Sequence, residues 1–424
     1  MVYGHRSLDA MQLREAARGW CELVWLIDEH DGDAAAIAPL LERSGPVVRA
    51  LGYSPAAAAE ALRPYAPDGL STFYDAHMEH IAAIAAELGL AFNGPETGRR
   101  LEDKYHQRQA LAAAGMPTPT VLALPAGASE QELHSLISGA GYPAVLKPRV
   151  ASGSWHTFRV RDARHLEALL SQLAHEPAED RILEGLIPDG PPLPGGFAAD
   201  YVSVETLACE GRLTHLATTG RLPLVHPLRE TGFFIPSTLQ EQAREAALAV
   251  AGEALRALDF QWGCAHTELK MTAEGPRVIE INGRVGGGVP EMLRLASGVD
   301  VIRQTMRVAL GLRPEVDAMP STEGVAYRFF YQPPASARRL LSLDGIPAVA
   351  ALPGVESVTM HHNPGAELDS AHGTRTYLFA VVGHAPDHAA VAAMHERIEQ
   401  EITAVYEHAG PGGDSEGKLA EVDP

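Results

Sequence analysis

Two rhythms of apolar and polar positions run along the chain. Up to about residue 92, runs rich in β-branched and aromatic residues, CELVWLI (21–27), GPVVRAL (45–51) and GLSTFY (69–74), are separated by Ala-rich stretches with helical spacing, SPAAAAEALRPY and HMEHIAAIAAELG. Strands alternating with helices predict a parallel βαβ layer. Such a layer ordinarily begins with a full strand, yet only Met1 to Tyr3 precede Gly4, so the first strand is either very short or trimmed.

After Asn93, Gly94 and Pro95, one helix is expected through ETGRRLEDKYHQRQALAAAG, stopped by Gly115 and the Pro117/Pro119 pair. AGYPAVLKPRV predicts a strand running into the small-residue loop ASGS (151–154); TFRVRDARHLEALLSQL reads as a strand and a helix, and RILEGLI (181–187) as a further strand. PDGPPLPGG (188–196) must be an exposed loop, because its prolines cannot donate to a sheet. Alternation across DYVSVETLACEGRLTHLATTG predicts an antiparallel hairpin, TLQEQAREAALAVAGEALRAL an amphipathic helix, and CAHTELKMT and PRVIEIN two more strands. Residues 320–408 read as a last α+β unit, and the polar, Gly-rich tail 409–424 as disordered.

Composition narrows the classes. At 424 residues the chain has room for about three units of roughly 150 residues each. The 54 acidic against 34 basic residues give a net charge of −20, which argues against a nucleic-acid or anionic-membrane binder while leaving room for local basic pockets. Cys21, Cys209 and Cys264 are odd in number and far apart, so neither a disulfide framework nor a thiolate zinc site is indicated. The N-terminus lacks a signal-peptide core and no run of 18 apolar residues occurs, so a soluble, cytoplasmic protein is expected. There is no His-Glu-x-x-His, Gly-x-Ser-x-Gly or Walker A string; His361–His362 reads as a polar turn, and Gly286 to Gly288 as a place of tight packing.

The chemistry concentrates in two strands. Glu268 (HTELKM) and Glu280 (VIEIN) sit inside apolar strand-like runs, where an unpaired carboxylate facing the core would be costly. A short turn through Ala273 to Pro276 joins the runs, so the carboxylates can lie side by side, with Asn282 and then Arg284 on the same face by the period of two. Two carboxylates and an amide oxygen suit Mg²⁺ or Mn²⁺. The alternative is a solvated face on which Glu268 and Glu280 pair with Lys270 and Arg277. Lysine is rare: of the basic residues only Lys104, Lys147, Lys270 and Lys418 are not arginine. Lys147 ends a strand directly before ASGS, whose small residues let backbone N–H groups approach phosphates, and Lys104 precedes the same sheet. A compact ammonium at both places fits a nucleoside triphosphate; Lys270 shares the strand face of Glu268.

LEDKYHQRQALAAAGMPTP, YPAVLKPRVASGS, ILEGLI with DYVSVE, and HTELKMTAEGPRVIEINGRVGGG follow one another as the signature segments of the ATP-grasp superfamily do. Over about residues 93–312 the chain resembles the carboxylate–amine ligases of the L-amino acid ligase type. The resemblance implies an ATP-grasp fold of α/β and α+β parts: a Rossmann-like lobe at 1–92, the ATP-grasp domain at 93–319 with a flexible lid at about 117–187, and a C-terminal α+β subdomain at 320–408. It implies that Lys104 and Lys147 hold ATP phosphates while Ser152, Gly153 and Ser154 close over them. Glu184, Gly185, Leu186 and Ile187 would be the hinge strand that meets adenine, and Asp200 a ribose contact. Glu268, Glu280 and Asn282 would ligate Mg²⁺ (or Mn²⁺), and Arg284 would stabilise charge on the transferred phosphoryl group. The implied reaction joins an amino acid carboxylate to the amine of a second amino acid through an acyl phosphate, giving a dipeptide or gamma-glutamyl-type amide, ADP and phosphate; a homodimer is implied as well.

Departures from the family pattern bear on these roles. His156 stands where the phosphate loop usually has glycine, and Phe233 where many relatives have histidine. In LVHPLRETGFFIPS, Glu230 occupies the place of a residue that can hold a substrate ammonium. Arg221, His226 and Arg229 crowd this stretch and could fix a second carboxylate, which would favour an acidic substrate such as glutamate; the alternative is surface ion pairs. Two other functions remain open at this point: an ATP-grasp carboxylase or purine-pathway-type ligase, and a nucleotide-binding regulator without turnover.

Overall fold

The computed structural model describes residues 1–4, 8–128, 132, 136–137 and 139–408; the tail from 409, with Lys418, lies outside the described residues. In the N-terminal lobe, β1 (Trp25–Leu26) and β2 (Val47–Val48) pair in parallel, and Val2 bridges Leu26 and Thr72 in the same sense. Parallel pairing is therefore present, and residues 2–3 join it as an isolated bridge: Val2 N–H donates to Ser71 O at 2.9 Å and Tyr3 N–H to Leu26 O at 3.0 Å. Helices Ala10–Ala17, Gly32–Leu41 and Pro55–Leu62 start at Asp9, Asp31 and Ser54, whose side chains accept the orphan N–H groups. Val2, Leu26, Val48, Ile81 and Ile84 meet in the core of this lobe.

The single helix expected after Pro95 is two, Pro95–Glu102 and Lys104–Ala113, broken at Asp103. Asp103 leaves helical geometry (φ −104°, ψ 111°) to cap the second helix, and its carboxylate is held by Arg149. That break places Lys104 at the first position of the second helix.

β3 (Val121–Leu124), β4 (Ala144–Pro148), β5 (Phe158–Val160) and β6 (Arg181–Gly185) form an antiparallel sheet in the order β3-β6-β4-β5, covered by helix Ala163–Leu173 through Leu166 and Leu169. The largest sheet is antiparallel and contains β7 (Tyr201–Cys209), β8 (Arg212–Arg221), β9 (Gly232–Ile235), β10 (Gly263–Thr272), β11 (Gly275–Asn282), β12 (Val325–Phe330), β14 (Val355–Met360) and β15 (Phe379–Ala385). Their order is β11-β10-β7-β8-β9-β12-β15-β14. β13 (Ala337–Asp344) and β16 (Thr403–His408) pair separately. Because β12 pairs with β9, the sheet runs unbroken across the boundary expected at 319/320. Helix Glu241–Ala257 packs on one face of the β7–β10–β11 end, helix Val301–Ala309 packs against β7 and β10, and helix Val289–Ser297 lies against β9, β12 and β15. Loop 188–196 joins no strand but is pinned: a Cβ on Gly190 would meet Met271 O at 1.5 Å, and Leu193 enters the core. Among the described residues no helix is long and apolar enough to cross a membrane.

Candidate active site

The floor of the site is the β11-β10-β7-β8 end of the large sheet. Strand partners share a face, so the register sets Glu268 opposite both Glu280 and Ser203, His266 opposite Asn282 and Glu205, and Ser203 opposite Thr219. The sequence-predicted carboxylate pair is thus side by side, with a bulge directly after Glu268. The alternative partners go elsewhere: Lys270 Nζ binds Asp189 (2.9 Å) and Asp200 (2.7 Å), and Arg277 binds Glu274. Lys104 Nζ reaches down from its helix to within 3.0 Å of Glu280 Oε1 and also donates to Ala151 O, the start of the ASGS loop.

Beneath these groups lies a buried network that sequence reasoning missed. Glu205 is fully buried; it accepts the Gly286 N–H at 3.1 Å and contacts His266 Nδ1. His266 Nε2 is 3.2 Å from Glu268 Oε1. Burial alone would lower the imidazole pKa, but the two carboxylates outweigh it and raise it to about 9. Burial likewise pushes Glu268 up, and the hydrogen bond from His266 with the charge of Arg221 brings it down to about 2. Gly286 serves close packing, as its position suggested: a Cβ there would come within 2.6 Å of His266 Nδ1. Carrying the period of two backward from Glu268 finds His266, and DYVSVET puts Glu205 in phase with Ser203; that was the available signal.

Arg221, 4% exposed, joins this network to the stretch LVHPLRETGFFIPS. It pairs with Glu230 through Nη1 and donates to Ser203 Oγ at 3.2 Å, with Glu268 at 3.5 Å. The guanidinium lies 5.2 Å from the Phe233 ring centroid, so Phe233 forms an aromatic wall where a proton-handling histidine could have stood. The carboxyl of Glu230 is pushed up by burial and by Glu268, despite Arg221. Arg229 does not join: it is buried, donates to His226 O (2.8 Å) and Gln332 Oε1 (3.3 Å), and makes no ion pair among the described residues. His226 contributes its carbonyl to that same turn. The expectation that Arg221, His226 and Arg229 act together on one carboxylate is not met, because two acids already neutralise Arg221 and Arg229 is bonded into its own turn.

Arg284 extends to Asp75 of the N-terminal lobe, with Nη2 2.7 Å from Oδ2, while Asp75 Oδ1 is buried without a partner. Lys147 Nζ sits 2.5 Å from Glu184, which also accepts Arg108 Nε at 2.9 Å; Arg108 further donates to Val278 O at 3.1 Å. Burial raises the Glu184 pKa, but Arg108 and Lys147 overcome it and bring it to about 2. Beyond Glu184, Gly185 N–H donates to Thr120 O and Leu186 N–H to Pro143 O, while Ile187 leads into the pinned loop. Asp200 holds Lys270 and the Gly190 N–H, both at 2.7 Å. In the ASGS loop, Gly153 (φ 68°) and Ser154 (φ 57°) are left-handed, and so is His156 (φ 44°), at the position where glycine is usual. Ser152, half-buried, begins this turn.

Residues 101–288 match the family model described as an ATP-grasp domain. The chain is 28% identical over 348 residues to the uncharacterized protein y4rH of Sinorhizobium fredii, covering 79% of this chain and 67% of that protein. It is 27% identical over 275 residues to carnosine synthase 1 of Mus musculus, covering 61% of this chain but only 32% of that enzyme, so it spans about a third of that relative's length. The structure of an L-amino acid ligase from Bacillus licheniformis superposes with a TM-score of 0.72 at 21% identity, over 94% of this chain and 96% of that one. With the signature segments laid out along one antiparallel floor beside a four-stranded sheet, the chain has the ATP-grasp fold, and its residues 101–288 match the ATP-grasp domain.

Proposed function

We propose that the protein is an ATP-dependent carboxylate–amine ligase that joins two amino acids. One observation carries the reading: the in-register pair Glu268 and Glu280 faces a lysine, Lys104, that also holds the first residue of the ASGS loop. The names of the relatives, a carnosine synthase and an L-amino acid ligase, support amide formation between amino acids. Lys104 and Lys147 hold ATP phosphates, Ser152 to Ser154 close over them, and Glu184 to Ile187 with Asp200 line the nucleoside. Glu184 acts here through its charge on Lys147 and Arg108 rather than by reaching the base.

The donor set fits a hard divalent cation: two partly exposed carboxylates and the Asn282 amide on adjacent strands. Glu268, Glu280 and Asn282 would hold Mg²⁺ or Mn²⁺, which neutralises phosphate charge. A substrate carboxylate attacks the γ-phosphate of ATP to give an acyl phosphate and ADP; an amine then attacks the acyl carbon and releases phosphate. Arg284, fixed by Asp75, stabilises the negative charge on the phosphoryl oxygens. Glu230, set by Arg221, accepts the substrate ammonium.

ADP release measured across amino acids and pairs, with mass analysis of products, tests this and separates a dipeptide from a gamma-glutamyl-type amide. Release dependent on both amino acids is expected. ADP release with bicarbonate and none with any amino acid pair would overturn the reading.

A further inference from the structure

The segment Ser370–Thr376 of the C-terminal unit is a 3₁₀ strap, interrupted at Gly373 (φ 69°, ψ −148°), and it touches two parts of the site at once. On one side it docks on the ASGS loop: His156 N–H donates to Ala371 O at 3.2 Å and Thr374 N–H to Gly153 O at 3.1 Å. The approach is backbone to backbone, since a Cβ on Gly373 would meet Gly153 O at 2.3 Å. The Trp155 ring stacks on His372 at 4.9 Å with 8° between planes, and on His156 at 4.6 Å. On the other side, Thr374 Oγ1 accepts the Glu230 N–H at 3.0 Å, and Gln332 Nε2 donates to both Glu230 O (2.8 Å) and Thr374 O (2.9 Å).

One residue, Thr374, is therefore bonded to the loop through its N–H and to the Glu230 turn through its hydroxyl. From Glu230 the connection continues through Arg221 to Glu268. Beside the strap, a cleft of about 680 Å³ lined by His156, Gln172, Glu176, Arg338 and His372 separates the lid from the C-terminal unit, so the strap is a local bridge and not part of a broad packed interface.

We propose that Thr374 and His372 are positioning residues that latch the ASGS loop shut while the Glu230 turn is in place, protecting the acyl phosphate from water until the amine arrives. This rests on the ligase reading above. Without the latch, water replaces the amine: it attacks the acyl phosphate, returns the free carboxylate and releases phosphate, so ATP is spent with no amide formed.

The test is the ratio of amide formed to ADP released. Thr374→Val removes the hydroxyl at nearly constant shape and should lower that ratio about fivefold; Thr374→Ser should restore it. His372→Ala, which leaves the backbone bonds intact, should lower it about threefold. Hydrogen exchange supplies a second readout: MgADP should slow exchange at residues 151–156 in the native protein and not in Thr374→Val. Native ratios in both variants with unchanged MgADP-dependent protection, or equal losses of ADP release and amide, would refute the latch. Absence of ADP release by the native protein with any amino acid pair would instead refute the ligase reading, and the exchange comparison would still decide the docking.

Discussion

Replacing Glu184 by glutamine keeps the shape of the side chain and deletes the charge shared by Lys147 and Arg108. All three side chains are nearly inaccessible, at 6%, 8% and 3% exposed, so solvent screens their interaction little. Depression of the carboxyl from 4.5 to about 2 corresponds to about 3 kcal/mol in favour of the charged form. Removing one member of a buried ion cluster costs about 3–5 kcal/mol, because the remaining charges are left uncompensated. Glu184→Gln should accordingly lower stability by about 3 kcal/mol, or about 3 °C in melting midpoint for a chain of this length. The pH dependence supplies a sharper check. Since the folded-state pKa lies below the unfolded one, the stabilisation is complete above about 4.5 and is lost as pH falls toward 2. The gap between native and variant, followed by denaturant titration, should narrow by about 1 kcal/mol between pH 6 and pH 4. A gap that is constant or widens as pH falls would refute the assignment of the stabilisation to this carboxylate.

Glu280→Gln should raise the Mg²⁺ concentration needed for half-maximal ADP release by at least about tenfold, measured by metal titration at saturating ATP; an unchanged requirement would remove Glu280 from the metal site. Arg284→Ala should reduce kcat by about 10²–10³ with ATP binding retained, and single-turnover kinetics would check that phosphoryl transfer is the slowed step. Gly286→Ala should destabilise the protein by about 1–3 kcal/mol in a thermal melt, because the added methyl meets His266 Nδ1 at 2.6 Å over a buried Glu205.

Which parts of the site were legible in the sequence depends on the span of chain between partners. Glu268, Glu280 and Asn282 lie in one hairpin with a short turn, so strand periodicity and loop length suffice to set their facing. The same rule would have exposed His266, two residues before Glu268, had the buried side of the strand been read for polar groups. Asp103 is different: a capping residue inside a helix-forming run is ambiguous until Arg149, 46 residues away, holds its carboxylate. Asp75 and Arg284 are separated by 209 positions and Glu205 and His266 by 61, and no local pattern carries either pairing. Arg229 fails in the opposite way. It is adjacent in sequence to Glu230, yet neighbours along an extended chain point to opposite sides, so proximity to a site residue argued against a shared role. The ASGS loop, the strap and the Glu230 turn come from three stretches more than 70 residues apart, and no one of them alone signals the others. Their meeting at Thr374 follows from the sheet itself: β9 pairs with β12, which pairs with β15, so the C-terminal unit is carried on the floor that bears the carboxylates. A unit fixed in this way cannot move independently of the floor without breaking strand pairs, and on the latch proposal it would offer a rigid abutment for the smaller four-stranded sheet.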